Sequence, residues 1–270
     1  MVDLVRDDLI NCDAFQRLAE DLGLAFSPTH EVPGLILRIR GQEKTVNILT
    51  HRSDGCILSP GQIYHPRPME RTEDFTWHNI PDNIQWWFAQ NCDVYDDRLI
   101  PIPIGVENDA WARPEHKKEV ILSLRKKKVK KQALVYLNAN RITNFDRPYV
   151  YQLFENKEWC TIEHGKHGVD FNNYAWKVWS HKFVLCPEGN GQDTHRTWES
   201  LYLGSFPIVM RRRFTEEFAK HLPILVIDNW SEVTKDLLEE GYQKFVMKNW
   251  NWNVLKMDYW RKMVEGRLTQ

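Results

Sequence analysis

The sequence has no apolar run approaching the ~20 residues that a membrane helix needs. Net charge is missing too: 36 Lys and Arg stand against 37 Asp and Glu, a formal −1 over 270 residues. No global field is therefore available to draw in nucleic acid. Cysteine is scarce. Its five positions (Cys12, Cys56, Cys92, Cys160, Cys186) are scattered, lack metal-ligand spacing and form no disulfide framework, which favours a reducing compartment. The chain has no Gly-Lys-Ser/Thr phosphate loop, no Gly-x-Gly-x-x-Gly fingerprint and no Asp-x-Asp triplet. Internal repeats and low-complexity stretches are absent. The opening MVDLVRDDLINCD is acidic and lacks the apolar core of a signal peptide.

What is present is alternation. Ala14 to Leu22 has helical spacing, with Phe15, Leu18, Ala19 and Leu22 on one face. Leu35 to Arg40 and Lys44 to Thr50 read as strands, the second ending in the loop His51 to Gly55. Asn83 to Asn91 reads as a short helix, Leu99 to Ile104 as a buried strand and Glu115 to Leu124 as a helix. From Ala133, strands (Ala133 to Leu137, Trp159 to Ile162, Lys182 to Cys186, Phe206 to Met210, Leu222 to Ile227) alternate with helices (Tyr149 to Phe154, Asn172 to Ser180, Glu232 to Glu240, Leu255 to Leu268). That pattern predicts α/β architecture with parallel sheets. The basic stretch 125–132 divides the chain into two Rossmann-like halves, 1–124 and 133–250. The run Arg125 to Lys131 reads as a solvated linker rather than a nucleic-acid patch.

One segment carries the chemistry. Cys186 to Met210 reads CPEGNGQDTHRTWESLYLGSFPIVM: strand end, glycine loop, helix start, next strand. Gly189 and Gly191 let backbone approach a ligand, and the first-turn N–H groups of the helix suit phosphate. Asp193 or Thr194 is a plausible N-cap. Arg196 brings a planar cation suited to a diphosphate. Glu199, three residues on, lies on a neighbouring part of the same face and could accept two ribose hydroxyls.

The run His181 to Val209 also resembles the donor-binding signature of exostosin-like glycosyltransferases. The resemblance rests on Pro187, Glu188, Gly189, Gly191, Asp193, Thr194, His195, Arg196, Trp198, Glu199, Gly204, Pro207 and Ile208. A looser likeness lies in WWFAQNCD (Trp86 to Asp93) and IPIPIGVEN (Ile100 to Asn108). The resemblance implies a GT-B fold, with two Rossmann-like domains facing across a cleft and residues 251–270 crossing back to the first. It implies an inverting transfer from a UDP-sugar to a glycan hydroxyl, with no metal on the diphosphate and no other cofactor. The missing Asp-x-Asp accords with that. Many relatives carry an N-terminal Golgi anchor, which this chain departs from. It is expected to be soluble and cytoplasmic, without membrane insertion, or else a trimmed catalytic region of a Golgi enzyme.

By this resemblance the donor site comprises Arg141, Glu188, Gly189, Gly191, Asp193, Thr194, His195, Arg196 and Glu199. Arg141 follows the strand that opens the second half, where GT-B enzymes often contact the diphosphate. Thr194 and His195 are read as facing the phosphates. The base that takes the acceptor's proton should stand at a strand end of the first half. Asp54 and His51 fit, as does Asp74, which lies with Glu73 in the polar stretch MERTEDFTW; His65, His78 and Glu107 lie at other plausible loops. Of the twelve tryptophans, Trp77, with neighbouring His78, is the candidate to stack on an acceptor sugar, while Trp176, Trp179 and Trp198 read as packing. The alternative function is a non-catalytic nucleotide-sugar or glycan-binding partner of another transferase.

Overall fold

The computed structural model describes residues 2–58, 62–64, 81–108, 116–127, 131–164 and 170–270. Two parallel sheets organise them. The first half runs α1 (Cys12–Leu22), β1 (Ala25–Pro28), α2 (Val32–Ile39), β2 (Val46–His51), β3 (Cys56–Leu58), β4 (Gln62–Tyr64), β5 (Ile84–Ala89), β6 (Cys92–Asp93), β7 (Leu99–Pro101) and α3 (Lys117–Arg125). Its main sheet has the order β1-β2-β5-β7, every pair parallel. The second half alternates β8 (Ala133–Ala139), α4 (Asp146–Phe154), β9 (Cys160–His164), α5 (Phe171–Ser180), β10 (His181–Leu185), α6 (His195–Tyr202), β11 (Phe206–Met210), α7 (Arg213–Ala219) and β12 (Leu225–Ile227). Its sheet order is β12-β11-β10-β8-β9, again all parallel. Two helices close the chain, α8 (Lys235–Met247) and α9 (Met257–Leu268). The α/β architecture with two parallel sheets is thus the expected one. No helix among the described residues is long and apolar enough to cross a membrane.

Local sequence accounts for most elements. In α1 the Asn11 side chain accepts the Ala14 N–H at 2.8 Å, and Gly23 ends the helix at φ 69°. Such a cap is worth about 1 kcal/mol. Phe15, Leu18 and Ala19 are buried along one face. The strands of the second sheet, such as Phe183-Val184-Leu185, are buried on both faces. That burial is why they read as continuous apolar runs rather than alternating ones.

Two elements differ from the sequence reading. Residues 35–39 fall in α2 instead of a strand, and Arg40 follows as its C-cap: Pro33 occupies the first turn, where its missing N–H leaves nothing unsatisfied. Leu35, Ile36 and Ile39 are buried together. Residues 84–89 form the inner strand β5 instead of a helix. Trp87 and Phe88 there are aromatic residues suited to a pleated surface, packed between β2 and β7. The helix α7 had no counterpart in the reading.

The halves are joined by more than the chain. Trp260 of α9 packs edge-on against Phe15 of α1 and Phe218 of α7, at 6.3 and 6.0 Å between ring centroids. Arg261 pairs with Asp21 at 2.5 Å. The C-terminal helix therefore crosses back to the first half, as expected. The Tyr202 hydroxyl accepts the Ile10 N–H at 2.9 Å and donates to the Leu255 carbonyl at 2.8 Å. The basic run is no solvated linker at its ends. Arg125 donates to the carbonyls of Tyr202 and Val2, each at 2.6 Å. The Lys131 ammonium donates to the Trp179 carbonyl at 2.5 Å and the Ser205 hydroxyl at 2.8 Å. Burial lowers the Lys131 pKa to about 7. A basic composition pointed to solvent; carbonyls left over at the ends of α5 and α6 hold these two cations inside.

Candidate functional site

The carboxyl ends of both sheets supply one cavity of about 370 Å³. Asp54 comes from the loop after β2 and Ile104 from the segment after β7. Asn140 follows β8, and the stretch Gly189 to Arg196 follows β10. Ligands of parallel α/β sheets bind at such strand ends.

Close backbone approach sets the cavity walls. A side chain at Gly191 would meet Asn91 Nδ2 at 2.9 Å and the Asp54 backbone at 3.3 Å. Asn91 itself holds a left-handed backbone (φ 52°) and accepts the Asp193 N–H at 2.8 Å. Its amide also donates to the carbonyls of Ser53 and Gly55 at 3.4 and 3.3 Å. The glycine loop of the second half is thereby pinned to the loop after β2. Neither Asn91 nor Gln90 beside it was singled out from sequence, although both lie in the looser of the two motif blocks.

Arg196 lines the cavity, and its Nε is buried with no hydrogen-bond partner among the described residues. Burial opposes its charge; Tyr174, Cys186 and Glu199 around it favour the charge. The balance leaves its pKa above the ordinary value. Glu199 is buried on the next turn and accepts the Tyr174 hydroxyl at 2.8 Å. Burial, then Glu199, keep that phenol protonated. Lys117 of α3 adds a second cation, paired with Glu107 and lying 4.9 Å over the Phe171 ring. Sequence reading placed the helix but not this side chain.

Several predicted residues stand elsewhere. Arg141 is exposed and lies over the Tyr151 ring at 4.2 Å, outside the cavity lining. The guanidinium from this region that reaches the cavity wall is that of Arg147, the second residue of α4. It donates to the Glu188 carbonyl at 2.7 Å, the Asn140 carbonyl at 2.8 Å and the Thr143 hydroxyl. Burial lowers its pKa to about 10. Glu188 turns away to pair with Arg212 at 2.7 Å, while burial raises its carboxyl. His51 is buried in the first half, where it borders a cavity that Asp54 and His195 also line. Its Nε2–H donates to the Pro103 carbonyl at 3.1 Å and its Nδ1 accepts the Arg52 N–H at 2.8 Å. Burial drops its pKa to about 3. With both nitrogens engaged and the ring stacked on Phe15, His51 is not a base. Asp74, Trp77 and His78, with His65 and Glu73, lie outside the described residues.

Asp193 neither caps α6 nor faces open solvent. Its carboxylate accepts the Ile104 N–H at 2.8 Å and the Trp198 indole N–H at 2.9 Å, so it fastens the two halves at the cavity floor. Thr194 is the N-cap, without a side-chain bond of its own. Burial raises the Asp193 pKa from 3.8 to about 7. Between those values the folded form holds a proton that the unfolded chain has released, so this group makes stability fall as pH rises from about 4 to about 7. Asp193→Asn is expected to flatten that part of the slope. Urea midpoints at pH 5 and pH 8 check it: an unchanged wild-type-minus-variant difference would show that Asp193 does not titrate there.

His195 opens α6. Its Nδ1–H donates to the Gly105 carbonyl at 2.8 Å. It also lines a second cavity of about 330 Å³ together with Asp54, Ile104, Gln90, Glu107 and Asn108. Gly189 and Thr194 line the first cavity. Among the described residues no three His, Cys, Asp or Glu gather as metal ligands.

No family model matches the chain, and no curated protein does. Among solved structures, the chain is similar to one described as the crystal structure of alpha1,3-fucosyltransferase, with a TM-score of 0.44 and 12% sequence identity, over 84% of this chain and 75% of that one.

Proposed function

We propose that this protein is a glycosyltransferase of the exostosin-like kind, moving a sugar from a UDP-sugar to a hydroxyl of a glycan acceptor with inversion and without a bridging metal. The observation that carries the reading is Arg196: a charged guanidinium whose Nε has no partner among the described residues, in a cavity between the carboxyl ends of two parallel sheets. A diphosphate leaving group supplies the missing acceptor. Its negative charge grows as the anomeric C–O bond breaks, and a cation already in place favours that charge. Lys117 stands on the same cavity and takes a share of the task usually given to a metal. Glu199, oriented by Tyr174, is suited to the ribose hydroxyls. The acceptor enters from the first half, opposite the diphosphate, so one displacement inverts the anomeric centre.

The test is nucleotide release from a panel of UDP- and GDP-sugars with glycan acceptors, alongside calorimetric titration with UDP. Turnover with a UDP-sugar is expected. Binding without turnover on any acceptor would point to a non-catalytic partner, and absence of any nucleotide binding would remove the reading.

A further inference from the structure

The second cavity adjoins the first along three residues that line both: Asp54, Ile104 and His195. The Glu107–Lys117 pair spans the same boundary, Glu107 lining one cavity and Lys117 the other. Inside the second cavity, the Gln90 amide donates to the Ser53 carbonyl at 3.1 Å, which fixes its orientation. Its Oε1 is left buried with no partner among the described residues, on a residue only 1% exposed. An unpartnered carbonyl on a residue that lines the cavity is an acceptor that a ligand's donor can satisfy. Carboxylates at Asp54 and Glu107 and the amide of Asn108 line the same cavity, a set that suits several hydroxyl groups. The volume, about 330 Å³, lies at the small end of ligand pockets and has room for roughly one or two sugar rings.

His195 occupies the junction. A carbonyl can only accept, so Nδ1 carries the ring proton toward Gly105 and Nε2 is the remaining acceptor. No described residue bonds Nε2.

We infer that the second cavity is the acceptor site for a neutral mono- or disaccharide end, and that His195 Nε2 removes the proton from its reacting hydroxyl. The inference rests on the transfer function proposed above. The acceptor O–H gives its proton to Nε2, and the oxygen lone pair forms the bond to the anomeric carbon. The bond from that carbon to the diphosphate oxygen breaks, and its electron pair leaves with the diphosphate beside Arg196. The imidazolium then passes its proton to water. His195 thus acts on the acceptor rather than on the phosphates, and Gln90 and Asp54 hold the neighbouring hydroxyls.

Two measurements on the full chain test this. Saturation-transfer NMR with methyl glycosides of one and two sugar rings reads the cavity without turnover. Wild type is expected to give signals that UDP does not displace, and Gln90→Met, close in size but lacking the carbonyl, to reduce them at least fivefold. Should Gln90→Met fail to fold, Asp54→Ala, at the other residue assigned to the hydroxyls, takes its place. Equal signals in wild type and variant, or displacement by UDP, would overturn the acceptor site, even in a protein that binds UDP normally. For the histidine, His195→Gln is expected to lower kcat at least 100-fold with the UDP Kd within twofold of wild type. A tenfold weaker UDP Kd with kcat preserved would instead assign His195 to the phosphates. UDP binding in wild type reports the donor reading separately, so failure of either proposal is recognisable by itself.

Discussion

Arg196→Ala is expected to lower the rate of sugar transfer by about 10²–10³-fold, the scale seen when one preorganised donor to a developing oxyanion is removed. The fold should barely notice. The Nε of Arg196 has no hydrogen-bond partner among the described residues, and Glu199, the nearby carboxylate, keeps the Tyr174 hydroxyl when the guanidinium is removed. Burial of the cation is itself costly and offsets what Glu199 contributes to its charge. Stability is therefore expected to stay within about 1 kcal/mol of wild type, or to rise. Arg147→Ala makes the contrast: that side chain serves the carbonyls of Asn140 and Glu188 and the Thr143 hydroxyl, and its loss should unfold the protein at lower urea. Comparing kcat with the urea midpoint for the two variants separates the roles. An Arg196 variant that loses stability and keeps its rate would make the guanidinium structural.

Gly105→Ala is expected to cause the largest loss of stability of any single methyl addition considered. Gly105 has φ 70°, and a Cβ there would sit on the Ile10 carbonyl oxygen, far inside the 3.0 Å that real Cβ atoms keep. The left-handed conformation alone costs a non-glycine residue about 1–2 kcal/mol. The clash adds to it, because the atom in the way is backbone. That same carbonyl accepts the Val106 N–H at 2.8 Å, and the Ile10 N–H donates to Tyr202. Moving Ile10 aside breaks contacts between the N-terminus and both halves. A loss of about 4 kcal/mol, a large fraction of the 5–15 kcal/mol that domains possess, should appear as a lower urea midpoint with unchanged slope. A midpoint within 0.5 M of wild type (roughly 1 kcal/mol at ordinary slopes) would mean that the segment yields freely.

The second half was more legible than the first, for a physical reason. Strands buried on both faces announce themselves as apolar runs, and β11 was placed at Phe206 to Met210 as observed. In the first half, α2 and β5 exchange their expected types. Eight residues holding Leu35, Ile36 and Ile39 fit a strand as well as a helix, and only the packing partner decides. The glycine loop was visible because its spacing is local. What was hidden depends on contacts far apart in sequence. Arg147 displaces Arg141 because Gly189 leaves room for its guanidinium, which a Cβ would meet at 2.8 Å. His51 follows an apolar strand, as a base should, yet it is the last residue of that strand and turns inward onto Phe15. Asp193 looked like a cap because it precedes a helix; Trp198 and the Ile104 amide claim its oxygens instead.

The strap formed by α9 has a consequence for how the chain is made. Phe15 is covered in part by Trp260, 245 positions later in the chain. At roughly 5–20 residues per second, a ribosome needs on the order of tens of seconds to cover that distance. Throughout that interval the nascent first half presents part of the apolar face of α1 to solvent. It gains this cover only once α9 has emerged, so α1 is sealed long after it is made.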